Sequence, residues 1–335
     1  MVKPFWLFCR FAIFLALQFA IPIMVKRGLR FDFLFVVYGT QEDLRSYYPK
    51  WFGSRLGRRL IFPFFITGIA TKGKSGSRGL VIGLSVNPGG LSRDQLIELL
   101  GYIEGFASQV GARSIGLAGR LPRILSDARI AIRKPFVVGR RLTVAIAILH
   151  VEDVFTKFAF SKNASKVAVI GAAGFIGFYV VLRLRAVGYQ VVGYDPKFQN
   201  TEVRGRATFT NDPSFISECP VAVLLTGDGK DIEGSIRYLV EGVVVADDTH
   251  PRMPRYIKER IQKEKRGIVY FIALFIRGVR FWPRLNTERP GRELVGCAVE
   301  AKFVAEGVNV EDQGVVDTIL RDKTFINTAV DRRPL

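Results

Sequence analysis

Cysteine, histidine and methionine are scarce, at three, two and three in 335 residues. Cys9, Cys219 and Cys297 are too few and too scattered for a disulfide framework, and none pair at Cys-x-x-Cys spacing. With only His150 and His250 to add, no structural zinc site is expected. This usage fits a reducing compartment. Acidic side chains are short as well, 30 against 49 Lys and Arg, for a formal charge of +19. Between Leu44 and Arg93 there are nine basic residues and no acid. Such a surface attracts polyanions. No nucleic-acid-binding motif accompanies it, so anionic lipid or an acidic protein is expected and nucleic acid is not. Apolar residues make up 49% and charged ones 24%, which excludes a disordered or collagen-like chain and allows two packed domains.

The N-terminus carries one long apolar run, Phe5–Val25 (FWLFCRFAIFLALQFAIPIMV), interrupted by Arg10, Gln18 and Pro22. A membrane-spanning helix needs roughly 20 apolar residues, and this run reaches that length. No small-x-small cleavage site follows, as a signal peptide would require. Lys26, Arg27 and Arg30 come next instead, and such cations stay on the cytoplasmic side. The expectation is a membrane-anchor helix over 1–30, spanning or in-plane, that holds the chain at the cytoplasmic face of a membrane.

Beyond it, apolar strands alternate with helices, the pattern of an α/β protein. Phe31–Tyr38 and Leu80–Val86 read as strands. Ser92 with Gln95 forms a capping box, and Leu96, Leu99, Leu100 and Ile103 carry a helix toward Gly111. Ile115–Leu117 is again strand-like, and Thr143–Phe160 is a long apolar helix.

The sharpest feature lies further on. An apolar strand, Lys166–Ile170, runs directly into Gly171-Ala172-Ala173-Gly174-Phe175-Ile176-Gly177 and then a helix stopped by Gly188. A second strand, Tyr189–Tyr194, ends at Asp195, 24 residues after Gly171. Strand, Gly-rich turn, helix, strand and acid together form a dinucleotide-binding fingerprint. Gly171 permits the tight turn, Gly174 lets backbone approach a diphosphate, and Gly177 lets helix and strand pack closely. The helix N-terminus offers N–H groups and a positive dipole end to the phosphates. A carboxylate at Asp195 accepts ribose hydroxyls and repels a 2′-phosphate, so NAD is favoured over NADP. The pattern continues through Val221–Leu225, a helix at Ile232–Val240, Val243–Ala246, a helix at Pro254–Arg266 and a strand at Ile268–Leu274. Thr226, Gly227, Asp247 and His250 follow strand ends, where doubly wound sheets bind ligands, and are expected near the nicotinamide.

The expected fold is therefore α/β: a Rossmann-like, doubly wound parallel-sheet domain at 161–290, preceded by an α/β substrate domain at 31–160. Helices over 291–335 are expected to return to the cleft between the two domains. No Tyr-x-x-x-Lys pair stands on the helix after the fourth nucleotide-domain strand, which argues against a short-chain dehydrogenase or sugar epimerase.

A resemblance to a known family extends over about residues 31–325. Gly116–Gly119 (GLAG), Gly139, Thr143, Val151-Glu152, the VAVIGAAGFIG segment, Asp247–Arg252 and the Gly296-Cys297-Ala-Val-Glu300-Ala301 helix fall in the same order as in one group. That group is the long-chain acyl-ACP reductases (ACP, acyl carrier protein), the aldehyde-forming enzymes of cyanobacterial alkane synthesis. The resemblance implies that Cys297 takes the acyl group as a thioester, which NADH or NADPH then reduces to aldehyde, with Thr143 as an oxyanion donor. It also implies an acidic acyl carrier protein or acyl-CoA as partner. Leu142, Ala273-Leu274, His250-Pro251-Arg252 and Asp195 depart from the family's pattern. Two other readings stand beside this one: a non-catalytic nucleotide-binding subunit of a membrane-associated complex, and an NAD-dependent oxidoreductase or epimerase acting on another substrate.

Overall fold

The computed structural model describes residues 16, 19–38, 64–71, 76–84, 87–249, 252–272, 274–276, 279–282, 293–321 and 325–326. The chain divides into two compact units: 1–139 with 276–315, and 140–275 with 316–335.

In the first unit, β1 (Phe33–Tyr38) lies between β3 (Arg78–Leu84) and β4 (Ser114–Leu117), parallel to both. β2 (Phe64–Thr71) runs antiparallel to β3, and the two-residue β5 (Phe136–Val137) extends the sheet beside β4. The helix α1 (Arg93–Val110) begins where its sequence says it should. The Ser92 side chain accepts from the Gln95 N–H, and the Gln95 side chain accepts from the Ser92 N–H. It stops at Gly111, whose φ of +80° suits glycine. Leu96, Leu99, Ile103, Ala107 and Val110 form its buried stripe and join β1, β3 and β4 in one apolar core. The short α2 (Leu121–Asp127) adds Leu121 and Leu125 to that core.

The apolar N-terminal run ends in this core, which corrects the expected membrane anchor. Among the described residues no helix is long and apolar enough to cross a membrane. Residues 19–26 are helical, and Ile21 is buried in the first unit's core with Val25 and Leu29 packed against it. Phe19 and Ile23 on the same turns are exposed. A helix rotates about 100° per residue, so even a uniformly apolar run presents one face to a core and one away from it. Residues 1–15, 17 and 18 lie outside the described residues, as does most of the basic stretch between 44 and 93.

The second unit opens with α3 (Arg140–Lys157), which packs on α4 (Gly177–Ala186) and on the sheet. Its sheet contains β6 (Lys166–Ile170), β7 (Gln190–Tyr194), β8 (Glu202–Arg204), β9 (Ala207–Thr210), β10 (Val221–Leu224), β11 (Val244–Asp247) and β12 (Ile268–Phe271). Their order is β8-β9-β7-β6-β10-β11-β12. Only β8 is antiparallel to its neighbour, at the edge. The six parallel strands thus follow the doubly wound order 3-2-1-4-5-6, with β6 first in sequence and central in space. Buried on both faces, the central strands β6, β10 and β11 read as nearly continuous Val, Ala, Ile and Leu. The helix expected at Ile232–Val240 is instead a run of 3-10 turns, Gly229–Tyr238, opened by Asp228 and Asp231 capping each other's N–H groups. Helix α5 (Arg255–Lys265) precedes β12.

After a short strand, β13 (Leu274–Ile276), the chain re-enters the first unit. There β14 (Val279–Trp282) pairs antiparallel with β2, and α6 (Gly296–Ala305) packs on β1 and β4.

Candidate dinucleotide site

The direction of winding reverses between β6 and β10, the point at which doubly wound sheets bind their ligands. The Gly-rich turn lies at this point. Gly171 has a φ of +94°, and a Cβ there would stand 2.8 Å from the Leu225 carbonyl oxygen and 3.0 Å from the Thr226 nitrogen. The first glycine is therefore required twice, by its conformation and by the loop after β10 lying directly against it. At Gly177 a Cβ would meet the Gly171 carbonyl oxygen at 2.2 Å, so the start of α4 is pressed onto the turn. Gly174 differs. Its nearest neighbour would be the Gly171 oxygen at 3.0 Å and the next the Leu225 oxygen at 3.9 Å. Beyond these two carbonyl oxygens, and apart from its chain neighbours, no atom of the described residues lies within 4 Å of such a Cβ. No side chain caps the start of α4; its Phe178 N–H donates to the Gly174 carbonyl at 3.2 Å, and a helix's first turn carries further N–H groups without an intrahelical partner.

Asp195, at the end of β7, is buried with its carboxylate turned to this turn. Its Oδ2 accepts from the Ala173 N–H at 3.1 Å and its Oδ1 from the Lys197 N–H at 3.0 Å. Each carboxylate oxygen keeps a lone pair for a further donor. Ala172 is fully buried beneath the turn, while the Phe175 ring is 42% exposed above it.

Thr226 and Gly227 are half-buried, and the Thr226 hydroxyl donates to the Asp228 carbonyl at 2.7 Å. Asp247 is buried and organises its own turn. Its Oδ1 accepts from the Thr249 N–H at 3.0 Å and hydroxyl at 2.6 Å, and its Oδ2 from the Met253 N–H at 3.3 Å. Burial raises its pKa above the usual carboxylate range, and the hydrogen bonds from Thr249 and Met253 oppose that shift. These contacts make Asp247 an anchor for the loop after β11. His250 lies outside the described residues. Sequence reasoning missed Arg140, whose guanidinium stacks over Phe175 and Tyr179. Its position at a helix start, 31 residues before Gly171, gives no local signal.

Thr143 is buried on α3 in the second unit, and Cys297 is half-buried at the second position of α6 in the first. Around Cys297 the first unit gathers three of the segments that carried the family resemblance, at Gly116, Gly139 and Gly296–Ala301. A Cβ on Gly139, whose φ is +70°, would stand 2.2 Å from the Cys297 Cβ. One on Gly116 would stand 2.9 Å from the Ala301 Cβ and from the Cys297 carbonyl oxygen. The buried Glu300 carboxylate accepts from the Gly139 N–H at 3.0 Å. The absence of side chains at Gly116 and Gly139 is what lets α6 approach this closely, and the Gly139 N–H satisfies one oxygen of the buried Glu300.

No family model matches the chain, and no curated protein matches it. Several solved structures are similar in shape. L-tryptophan dehydrogenase from Nostoc punctiforme has a TM-score of 0.40 and 14% identity over 87% of this chain and 80% of that one. NAD-dependent formate dehydrogenase from Staphylococcus aureus, in complex with NAD, has a TM-score of 0.36 and 14% identity over 66% and 78%. A D-isomer specific 2-hydroxyacid dehydrogenase from Xanthobacter autotrophicus Py2, in complex with NADPH and MES, has a TM-score of 0.33 and 13% identity over 53% and 90%. Likeness at this level assigns no activity. The resemblance to the acyl-ACP reductases is corrected: no model of that or any other family matches the chain, and no curated protein matches it. Physically, the Cys-x-x-Glu-Ala pattern that carried it is accounted for by packing of α6 against Gly116 and Gly139.

Proposed function

We propose that the chain is an oxidoreductase that uses a nicotinamide dinucleotide, NAD or NADP, held by its second unit. One observation carries this reading: a Gly-rich turn at the switch point of a 3-2-1-4-5-6 sheet, with the Asp195 carboxylate turned toward it. The residues present fit such a ligand. The open face at Gly174 admits a diphosphate, and the uncapped start of α4 supplies N–H donors with the positive end of its dipole. Asp195 keeps lone pairs for the adenosine ribose hydroxyls and opposes a 2′-phosphate, which favours NAD. The loop of Thr226 and Gly227, against Gly171, lies where the nicotinamide half belongs in such sheets. When bound, the cofactor supplies or accepts a hydride. The unit's own residues bind and orient it: the turn fixes the phosphates, Asp195 fixes the ribose, and Asp247 holds the loop after β11 rigid.

Titration of the full chain with NADH, followed by quenching of protein fluorescence, tests the reading. Saturable binding is expected, and its loss in Gly174→Val without loss of folding. A folded wild-type chain that binds neither NADH nor NADPH refutes it.

A further inference from the structure

We propose that Arg140 is the cation that binds the cofactor's diphosphate. The inference rests on the dinucleotide reading above and adds to it a residue outside the fingerprint. The Gly-rich turn supplies dipoles and N–H groups but no full charge, since no basic side chain stands between Gly171 and Gly177. The arginines of α4, Arg183 and Arg185, are in its last turn, at the far end from the phosphates. A diphosphate carries two negative charges, so a nearby cation is what the turn itself lacks.

Arg140 meets that need from the start of α3. Its guanidinium carbon lies 4.9 Å from the Phe175 ring centroid and 4.3 Å from that of Tyr179. Phe175 belongs to the turn itself. Tyr179 lies in the first turn of α4, and both ring centroids lie within 5 Å of the one guanidinium carbon. Each ring is 42% exposed. Stacking uses the flat face of a guanidinium and leaves its N–H edge free to donate. Among the described residues no carboxylate pairs with Arg140. Arg183, on the same helix, shows the contrasting case, being paired with Asp317. An arginine held against the turn's Phe175 and the adjoining Tyr179, with no carboxylate partner among the described residues, is placed to meet an anion at the turn. A 2′-phosphate would instead fall beside Asp195 at the end of β7, where Lys197 is the adjacent cation.

The test is calorimetric titration of wild type, Arg140→Met and Arg140→Lys with NADH, NADPH, ADP-ribose and adenosine. Arg140→Met is expected to weaken NADH, NADPH and ADP-ribose alike by tenfold or more. Adenosine affinity should stay unchanged, and the salt dependence of NADH binding should flatten. Arg140→Lys should recover part of the loss, because it keeps the charge without the planar fork. If Arg140→Met fails to fold, Tyr179→Leu removes one ring of the stack and should weaken the same three ligands, by less. Unchanged NADH affinity in folded Arg140→Met overturns the inference while leaving the dinucleotide reading intact. An equal loss for adenosine, or a loss confined to NADPH, also overturns it. A wild-type chain that binds no dinucleotide overturns both.

Discussion

Adding one methyl group at Gly177 separates the packing role of the Gly-rich turn from its binding role. A Cβ there would stand 2.2 Å from the Gly171 carbonyl oxygen and 2.9 Å from its carbon, whereas ordinary contact begins at 3.4 Å. Both clashing atoms are backbone, so no side chain can rotate away; α4 and the turn must part by about 1.2 Å, the difference of the two distances. Overpacking of this kind costs about 1–3 kcal/mol, and a unit of this size loses about 2–4 °C in Tm per kcal/mol. The same shift carries the first-turn N–H groups of α4 out of reach of the phosphates. One hydrogen bond to a charged group is worth about 1.5–3 kcal/mol, so NADH affinity should fall roughly ten- to hundredfold. Gly174→Ala is the control. Its methyl would meet the Gly171 oxygen at 3.0 Å, a contact relieved by a few tenths of an ångström, and the Leu225 oxygen at an ordinary 3.9 Å. Tm should therefore hold while affinity falls, because the methyl occupies the side from which phosphate approaches. Scanning fluorimetry and NADH titration of the three proteins give both readings. If Gly177→Ala keeps wild-type Tm and affinity, or cannot be told from Gly174→Ala, the assigned roles are wrong.

Asp195→Asn removes the charge that opposes a 2′-phosphate, so the ratio of NADPH to NADH affinity should rise; an unchanged ratio would confine Asp195 to its contacts with Ala173 and Lys197. Burial raises the pKa of Asp247, so the folded chain holds this proton at pH values where the unfolded chain has released it. Its contribution to stability is then fully present below the unfolded pKa, about 4, and is lost as pH rises through the folded value. Asp247→Asn should remove that component from a plot of Tm against pH, and should also lower Tm by leaving part of the Thr249 and Met253 donor set unsatisfied. Cys219 is buried, which pushes its thiol up to about 12, so iodoacetamide at pH 8 should spare it until the protein unfolds. Cys297, half-buried at a helix start, should be alkylated in the folded chain, as mapped by peptide mass spectrometry. Gly139→Ala puts a methyl 2.2 Å from the Cys297 Cβ at a φ of +70°, and should cost about 1–3 kcal/mol of stability, measured by chemical denaturation.

What the sequence made legible is what local chemistry decides. The capping box of Ser92 and Gln95 and the stop at Gly111 depend on neighbours a few residues away, and α1 has those ends. The turn from Gly171 to Gly177 and the placement of Asp195 follow from a short β-α-β unit, where strand, glycine and acid fix one another. The missed features depend on distant partners. β14 pairs with β2 across some 200 residues of sequence, including the whole parallel sheet. Ile21 is buried because the first unit's core takes up one face of its helix, which apolar content alone does not reveal. The stretch at Ile232–Val240 had the apolar spacing of a helix, yet the reciprocal Asp228–Asp231 cap opens it as 3-10 turns. At Cys297 the sequence pattern suggested a family that no family model supports, and the close approach of Gly116 and Gly139 to α6 was not legible in it.

The central claim is that the second unit holds a dinucleotide at Gly171–Gly177 and Asp195. Its most direct test is a titration of wild type and Gly174→Val with NADH, with ADP-ribose as competitor and Tm recorded for both. The account predicts one saturable site per wild-type chain, displaced by ADP-ribose, and no measurable binding to a Gly174→Val chain of near wild-type Tm. Equal binding by the two proteins, or none by a folded wild type with either NADH or NADPH, would contradict it.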